Sequence, residues 1–377
     1  MTTPTTTSTT TSTTTSSTTP TTTPTATSST TSTGFVRDQW YVVASTDEIS
    51  DVPLARTVCG EHVVLFRQTD GTIVALADRC PHRGYPLSLG AVVGDEIQCG
   101  YHGLRFDGCG TCTWAPLQNH IPSRANVESF PLAITGPWVW LWIGDPSAPD
   151  PSKLTELPWL DSDDWAEVHG MEPLAARYGL LIDNLLDLSH ESFLHAGLIG
   201  TPEVAVTPIE TRVDEEAGVV YVERHMESVE CPPFYSDTTG LSTPIDRWQD
   251  IEYHPVGCYI LHSRVAPAGV APCPDGPDPD AAHLTVLYAI TPVDEHNTMD
   301  FWALARDFAV GDGAIDDDLA RMNREVILQD VRALELLERR LGAETDPSEV
   351  SLKIDTGALA ARRMVARLAE QAQASMT

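Results

Sequence analysis

The chain has 377 residues, enough for two domains, each with its own core, and a formal charge of −31 from 23 basic and 54 acidic side chains. That charge excludes nucleic acid and anionic membrane surfaces as natural partners, and no apolar run approaches the roughly 18–20 residues of a spanning helix. Eight cysteines in a chain of this length do not make a disulfide scaffold, so those beside histidines point to metal.

Residues 1–33 are almost wholly Thr, Ser and Pro, and the first charge is Arg37. Such a tail cannot bury enough apolar surface to offset its ordering entropy, so disorder is expected and catalysis should not need it. It lacks the arginines of a transit peptide and the basic and apolar regions of a secretion signal, which predicts a cytoplasmic protein and argues against a glycosylated stalk. Residues 34–145 read as β-rich. Val63–Phe66 and Ile73–Leu76 flank an Asp70-Gly71 hairpin signal, and Trp138, Trp140 and Trp142 alternate with Val139, Leu141 and Ile143, as in a strand buried on both faces. Four prolines between Pro146 and Pro158 mark a linker over 146–164.

Residues 165–377 mix helix and strand. Leu180–Leu194 is an apolar segment interrupted by Asp and His. Strands are expected over 211–224, 247–266 and 283–292, a long amphipathic helix over Asp316–Leu341 stopped by Gly342, and a second helix over Thr356–Gln373. The fold class is therefore α+β, with an all-β N-terminal domain.

Cys80-Pro81-His82, then sixteen residues, then Cys99-Gly100-Tyr101-His102, offers two sulfur and two nitrogen ligands. Tetrahedral zinc is one chemistry for such a set. The other is a Rieske [2Fe–2S] cluster, whose imidazoles lower the negative charge and raise the potential to between about −150 and +300 mV. Pro81, Gly84, Gly100 and Gly103 should shape the two loops. Cys109 and Cys112 find no further Cys/His partner and are assigned no metal.

A second site is expected around Asn184-Leu-Leu-Asp187-Leu-Ser-His190-Glu-Ser-Phe-Leu-His195. Two histidines and one carboxylate, with the remaining positions open, suit non-haem Fe(II). Asp187 and His190 share a helix face, but His190 and His195 lie about 140° apart round an ideal helix. Both reach one metal only if the helix breaks, and an irregularity is expected near Glu191–Leu194. On the 316–341 helix, Leu319, Met322, Val326, Leu334, Leu337 and Leu341 form an apolar stripe. Asp330 falls on it, four residues from Val326 and from Leu334. A buried unpaired carboxylate is costly, so Asp330 is the expected third ligand, the alternative being a core aspartate paired with arginine. Glu325, Glu335 and Glu338 fall off the stripe and read as solvated. His254 and His262 share strand parity and are weaker candidates for the pocket; Arg212, Arg224, Arg247 and Arg264 are candidates to pair a substrate carboxylate.

The C-x-H, C-x-x-H spacing with its context ADRCPHRGYPLSLG and IQCGYHGLRFDGCGTC resembles the Rieske non-haem iron oxygenases. The vanillate O-demethylase oxygenase branch is most similar, through Gln39-Trp40-Tyr41-Val42, NLLDLSHESFLH, Pro232-Pro233-Phe234, Asp246-Arg247-Trp248-Gln249, LQDVRALE and Ala360-Ala361-Arg362-Arg363. The Thr-rich tail departs from the family pattern.

This resemblance implies a Rieske domain followed by a helix-grip (START-like) catalytic domain, in a head-to-tail homotrimer. It implies cluster ligation by Cys80, His82, Cys99 and His102, and iron ligation by His190, His195 and Asp330. Asp187 then resembles the family's bridging carboxylate between His102 of one subunit and His190 of the next, with Asn184 near the iron. Electrons would come from NAD(P)H through a separate flavin and iron–sulfur reductase or a ferredoxin, in agreement with the missing nucleotide fingerprint. The implied reaction is O2-dependent hydroxylation of a methyl group on a small aromatic; a methoxy group then yields a phenol and formaldehyde. Ring or methyl hydroxylation and N-demethylation share the metal motifs. An electron carrier without oxygenase activity would leave His190, His195 and Asp330 without a purpose, and a zinc-stabilised binding module would show no visible absorption and no acid-labile sulfide.

Overall fold

The computed structural model describes residues 1–2, 34–242, 244–273, 278–342 and 349–375. The Thr-rich segment expected to be disordered lies outside the described residues but for Met1 and Thr2.

The N-terminal part holds three small antiparallel sheets. Strands β1 (Gln39–Ser45), β10 (Trp138–Ile143) and β9 (Leu132–Thr135) form one, and β2 (Leu54–Val58), β3 (Glu61–Arg67) and β4 (Ile73–Ala77) the next. The third contains β5 (Ala91–Val93), β6 (Glu96–Gln98), β7 (Arg105–Phe106) and β8 (Cys112–Trp114). The β3–β4 hairpin turns at Asp70-Gly71 as its sequence predicts, with Gly71 N–H donating to the Gln68 carbonyl. All six residues of β10 are buried, so the tryptophan stripe is core.

The second part is one seven-stranded antiparallel sheet in the order β11 (Ala166–Leu174), β17 (Asn297–Arg306), β16 (Ala282–Asp294), β15 (Cys258–Pro267), β14 (Ile245–His254), β13 (Val219–Val229), β12 (Glu210–Asp214). The expected strand over 211–224 is instead the β12–β13 hairpin, and 247–266 is the β14–β15 hairpin, which turns at Val256 and Gly257, both at positive φ. A Gly in the left-handed region is the local signal for a break, and it lies inside each run: Gly218 has φ 72° and Gly257 φ 100°.

Six helices complete the described structure: α1 (Tyr178–Leu186), α2 (Glu191–Leu194), α3 (Pro202–Val206), α4 (Pro233–Thr239), α5 (Gly313–Leu341) and α6 (Thr356–Ser375). Helix α5 begins three residues before its predicted start, because Asp312 caps it by accepting from Ala314 N–H, and it stops at Gly342 as expected. Its buried line runs Leu319, Met322, Asn323, Val326, Ile327, Asp330, Leu334, Glu338. Leu337 is exposed and Glu338 is buried, the reverse of the predicted stripe. The reason is a specific partner. Glu338 accepts from Arg177 and His296 at 2.7 Å each, so a carboxylate, not a leucine, fits where the helix end meets the turn before α1. Glu335 is partly tied too, accepting from Ala175 N–H.

The sheet is buried on both sides. Tyr259, Leu261, Tyr288, Trp302 and Leu304 face the helices, whereas Cys258, Ile260, Leu287, Ala289, Phe301 and Ala303 pack against β1 and β10. Strand β14 instead alternates strictly between buried and partly exposed residues, because the N-terminal part does not cover its outer face. Among the described residues no helix is long and apolar enough to cross a membrane.

Candidate functional site

The N-terminal site is built by two loops with the same backbone pattern. Cys80 N–H donates to the Tyr85 carbonyl and Gly84 N–H returns to the Cys80 carbonyl. In the second loop, Cys99 N–H donates to Leu104 and Gly103 N–H to Cys99. Gly84 and Gly103 occupy equivalent places at φ 72° and 76°, a conformation that side-chain-bearing residues rarely adopt. Both cysteines are buried. Burial pushes the Cys80 thiol up to about 11, and the adjacent Cys99 adds to the shift. A metal that binds thiolate reverses that preference. His82 and His102 lie at the surface with ring centroids 4.6 Å apart. Thus two buried sulfurs sit under two exposed imidazoles, which is the asymmetry a Rieske cluster needs, with its histidine-bound iron outermost.

The second site is built from α1, the turns that follow it, and α5. Helix α1 ends at Leu186. Asp187 is extended (φ −130°, ψ 92°), and its carboxylate accepts from Ser189 N–H to start a 3-10 turn over Leu188–His190, which runs directly into α2. The break therefore lies at Asp187, upstream of the expected Glu191–Leu194. Those four residues are helical, and His195 N–H still donates to the Glu191 carbonyl. The tight 3-10 turn, not a bulge, brings the two rings to one side, with centroids 5.1 Å apart. Gly200 allows the chain to return across this turn: a Cβ there would stand 1.7 Å from the Glu191 carbonyl oxygen.

His190, His195 and Asp330 each offer a ligand atom, all within 4.8 Å of one another. Asp330 Oδ1 lies 3.5 Å from His190 Nε2, and Oδ2 lies 3.2 Å from His195 Nε2. Asn184 Nδ2 donates to Asp330 Oδ1 at 3.0 Å. Among the described residues no arginine pairs with Asp330. His195 Nε2 and Asn184 Oδ1 are buried without a well-formed hydrogen bond. The opposite ring nitrogens are taken: His190 Nδ1–H donates to the Asp187 carbonyl at 2.6 Å and His195 Nδ1–H to Gln329 Oε1 at 2.7 Å. Those acceptors assign the tautomers and turn both Nε2 lone pairs toward Asp330. The residues present thus fit a divalent iron held by two imidazoles and one carboxylate, with positions left open.

Comparison with known proteins agrees on both halves. Residues 39–131 match the Rieske [2Fe–2S] domain, and residues 174–371 match the vanillate O-demethylase oxygenase C-terminal domain. The vanillate O-demethylase oxygenase subunit of Pseudomonas sp. strain HR199 is 35% identical over 339 residues, 89% of this chain and 95% of that one. The dicamba O-demethylase oxygenase component of Stenotrophomonas maltophilia is 33% identical, covering 81% of this chain and 89% of its own. The chain belongs to the vanillate O-demethylase oxygenase family. A crystal structure of dicamba monooxygenase bound to dicamba superposes with a TM-score of 0.82 at 30% identity, over 90% of this chain and 99% of that one. As a Rieske non-haem iron oxygenase component, the protein uses a [2Fe–2S] cluster and a mononuclear iron.

Within this oxygenase, several expected pocket residues lie elsewhere. His254 and His262 do share a sheet face, joined through Glu252 at 3.5 and 3.0 Å, but it is the face opposite the iron. They are kept there by strand parity: Arg247, Gln249 and Ile251 alternate onto the inner face, which puts Asp250, Glu252 and His254, and His262 opposite Asp250, outside. Arg264 is also outside, paired with Asp278 at 2.8 Å, and Arg212 is exposed over the Tyr221 ring. Arg247 and Arg224 are inside and already engaged. Arg247 donates to Glu191 at 2.8 Å, and Arg224 donates to Ser189 Oγ at 3.1 Å.

Two residues of the site carry signals that spacing alone does not rank. Gln329 orients His195 and is the polar residue beside the buried aspartate. Glu191 is a charge inside an apolar segment, and it is buried because Arg247 and Gln249 both bond it.

Proposed function

We propose that this oxygenase removes the methyl group of a methoxylated aromatic of the vanillate kind, with O2 and two electrons from a partner. The convergence of His190, His195 and Asp330 in the chain that also carries the Rieske loops supports the oxygenase chemistry, and the likeness to vanillate and dicamba O-demethylase components over most of the chain supports the methoxy substrate. In this reading Cys80, Cys99, His82 and His102 hold the cluster over residues 34–145, and the three second-site residues hold the iron in residues 165–377. The bound iron supplies the oxidising chemistry at the methyl C–H bond. Asn184, Gln329 and the Asp187 carbonyl keep the ligands oriented. The inner face of the sheet around Met226, Tyr259, Leu261 and Tyr288 excludes water from the reacting carbon, which protects the oxidising step from side reactions. The sum is ArOCH3 + O2 + 2e⁻ + 2H⁺ giving ArOH, CH2O and H2O. The hydroxylated methyl is a hemiacetal whose O–H proton passes to the departing phenol oxygen.

The electrons come from a flavin and iron–sulfur reductase using NAD(P)H, or from a ferredoxin. A head-to-tail homotrimer would deliver them across a subunit boundary from His102 to Asp187 and His190. Exposed apolar side chains in both parts of the chain support that assembly: Leu89, Tyr101, Trp114 and Leu117 in the N-terminal part, and Phe193, Leu194 and Val206 in the second.

The test uses the purified chain, a surrogate reductase, NADH and a panel of methoxylated aromatic acids, following formaldehyde and O2 together. Formaldehyde in step with O2 is the expected result. O2 uptake without formaldehyde from an iron-replete sample would reject demethylation of that panel.

A further inference from the structure

The outer face of β14 is not covered by the N-terminal part, and a cavity of about 450 Å³ opens there, on the side of the sheet away from His190, His195 and Asp330. Its floor is a pair of cross-strand rows. Trp248, Arg264 and His283 stand side by side on β14, β15 and β16, and Asp250 and His262 are opposite one another in the next row. Trp159 and Trp165, from the linker into β11, form a wall. A cavity of this size lies within the range of small-molecule sites, about 300–1,000 Å³.

Arg264 decides what this cavity takes. The residue is only 6% exposed. Its Nε–H donates to Asp278 Oδ2 at 2.8 Å and its Nη2–H to the Val270 carbonyl at 3.2 Å. Among the described residues nothing accepts from Nη1, which is buried as well. The guanidinium carbon lies 5.3 Å from the centroid of the Trp248 ring, a cation–π contact that helps to fix the fork. A buried N–H of a cation that has lost its water and found no acceptor carries the full cost of desolvation. Arg264 borders the cavity, so an oxygen of a bound molecule can supply the missing acceptor.

The acids at its edge are already bonded. His225 Nε2–H donates to Asp250 at 2.7 Å, Arg264 donates to Asp278, and His283 Nδ1–H donates to Asp307 at 2.7 Å. The rings are held too: Trp159 meets His262 edge-on with centroids 5.2 Å apart, and His225 stacks on Trp248 at 4.3 Å. An anion here would stand beside three carboxylates. A cation would face the guanidinium and leave Nη1 unpaired. An uncharged ring with an acceptor oxygen avoids both penalties and packs on the indoles. We infer that this cavity is a second ligand site, separate from the iron site, for an uncharged one- or two-ring aromatic whose carbonyl oxygen accepts from Arg264 Nη1–H. The inference does not depend on the demethylase reading.

The experiment is calorimetric titration of the iron-loaded full chain with acetophenone and with 2-phenylpropene, in which a CH2 group replaces the carbonyl oxygen. Benzoate serves as the charged probe. The unaltered protein should bind acetophenone about tenfold or more tightly than 2-phenylpropene, the effect of one hydrogen bond from a buried cation. Arg264→Lys keeps a cation for Asp278 but loses the planar fork that presents Nη1, and should bring the ratio near one. Trp165→Ala, at a partly exposed wall position, should weaken both neutral probes about fivefold or more and leave their ratio intact. Equal binding of the two neutral probes by the unaltered protein overturns the assignment even if Arg264→Lys folds poorly. Affinities unchanged in both variants place the probes elsewhere and overturn it too. Benzoate binding that exceeds that of acetophenone and falls in Arg264→Lys makes the site one for anions and overturns the ligand class.

Discussion

His195 Nδ1–H donates to Gln329 Oε1 at 2.7 Å, so the residue just before Asp330 on α5 fixes the ring of a proposed iron ligand 134 positions earlier in the chain. Helix α5 therefore carries one of the three proposed iron ligands and orients another. Gln329→Ala should weaken iron binding about 10–100-fold, the usual effect of removing a partner that orients a metal-bound histidine. Gln329→Glu keeps an acceptor and should stay nearer the parent. Iron retained per chain against a competing chelator checks this; equal retention in Gln329→Ala and the parent would show that the bond does no orienting.

Glu191 and Arg247 form an ion pair almost wholly out of solvent, with side chains 6% and 0% exposed. Glu191→Ala leaves the Arg247 guanidinium buried and unpaired, and should cost about 3–5 kcal/mol. Urea unfolding measures it. A loss below about 1 kcal/mol, the range of an exposed pair, would mean that water reaches Arg247.

Removing one iron ligand separates the oxygenase from an electron carrier. The parent should hold about three irons per chain, two in the cluster and one mononuclear. His195→Ala should hold about two, keep the visible absorption of the cluster and release no formaldehyde. A parent with about two irons would point to a carrier.

Glu338 gives a pH dependence of stability. Burial alone would raise its carboxyl, but hydrogen bonds from Arg177 and His296 outweigh this and hold it down to about 2, against an ordinary 4.5. Because the folded value is the lower one, the contribution is complete above about pH 4.5. It is lost as pH falls toward about 2. Glu338→Gln should be less stable than the parent at neutral pH, with the difference shrinking across that interval. A difference that stays constant from neutral pH to about pH 3 would remove Glu338 from the acid response.

The sequence by itself determined most of the two candidate ligand sets, because their pairs are local. Cys80 to His82, Cys99 to His102, and His190 to His195 are short spacings whose residue types already define a coordination chemistry. Asp330 was legible for another reason: a carboxylate on an apolar helical face needs a partner. Tertiary structure decided the rest. It placed the break at Asp187, where a side-chain cap competes with the helix, although counting residues puts it later. It split two long strand runs at Gly218 and Gly257. It buried Glu338 in place of Leu337, because Arg177 and His296 arrive from elsewhere in the chain. It also sent His254 and His262 to the far side of the sheet, since parity fixes which residues share a face and only packing decides which face meets the iron.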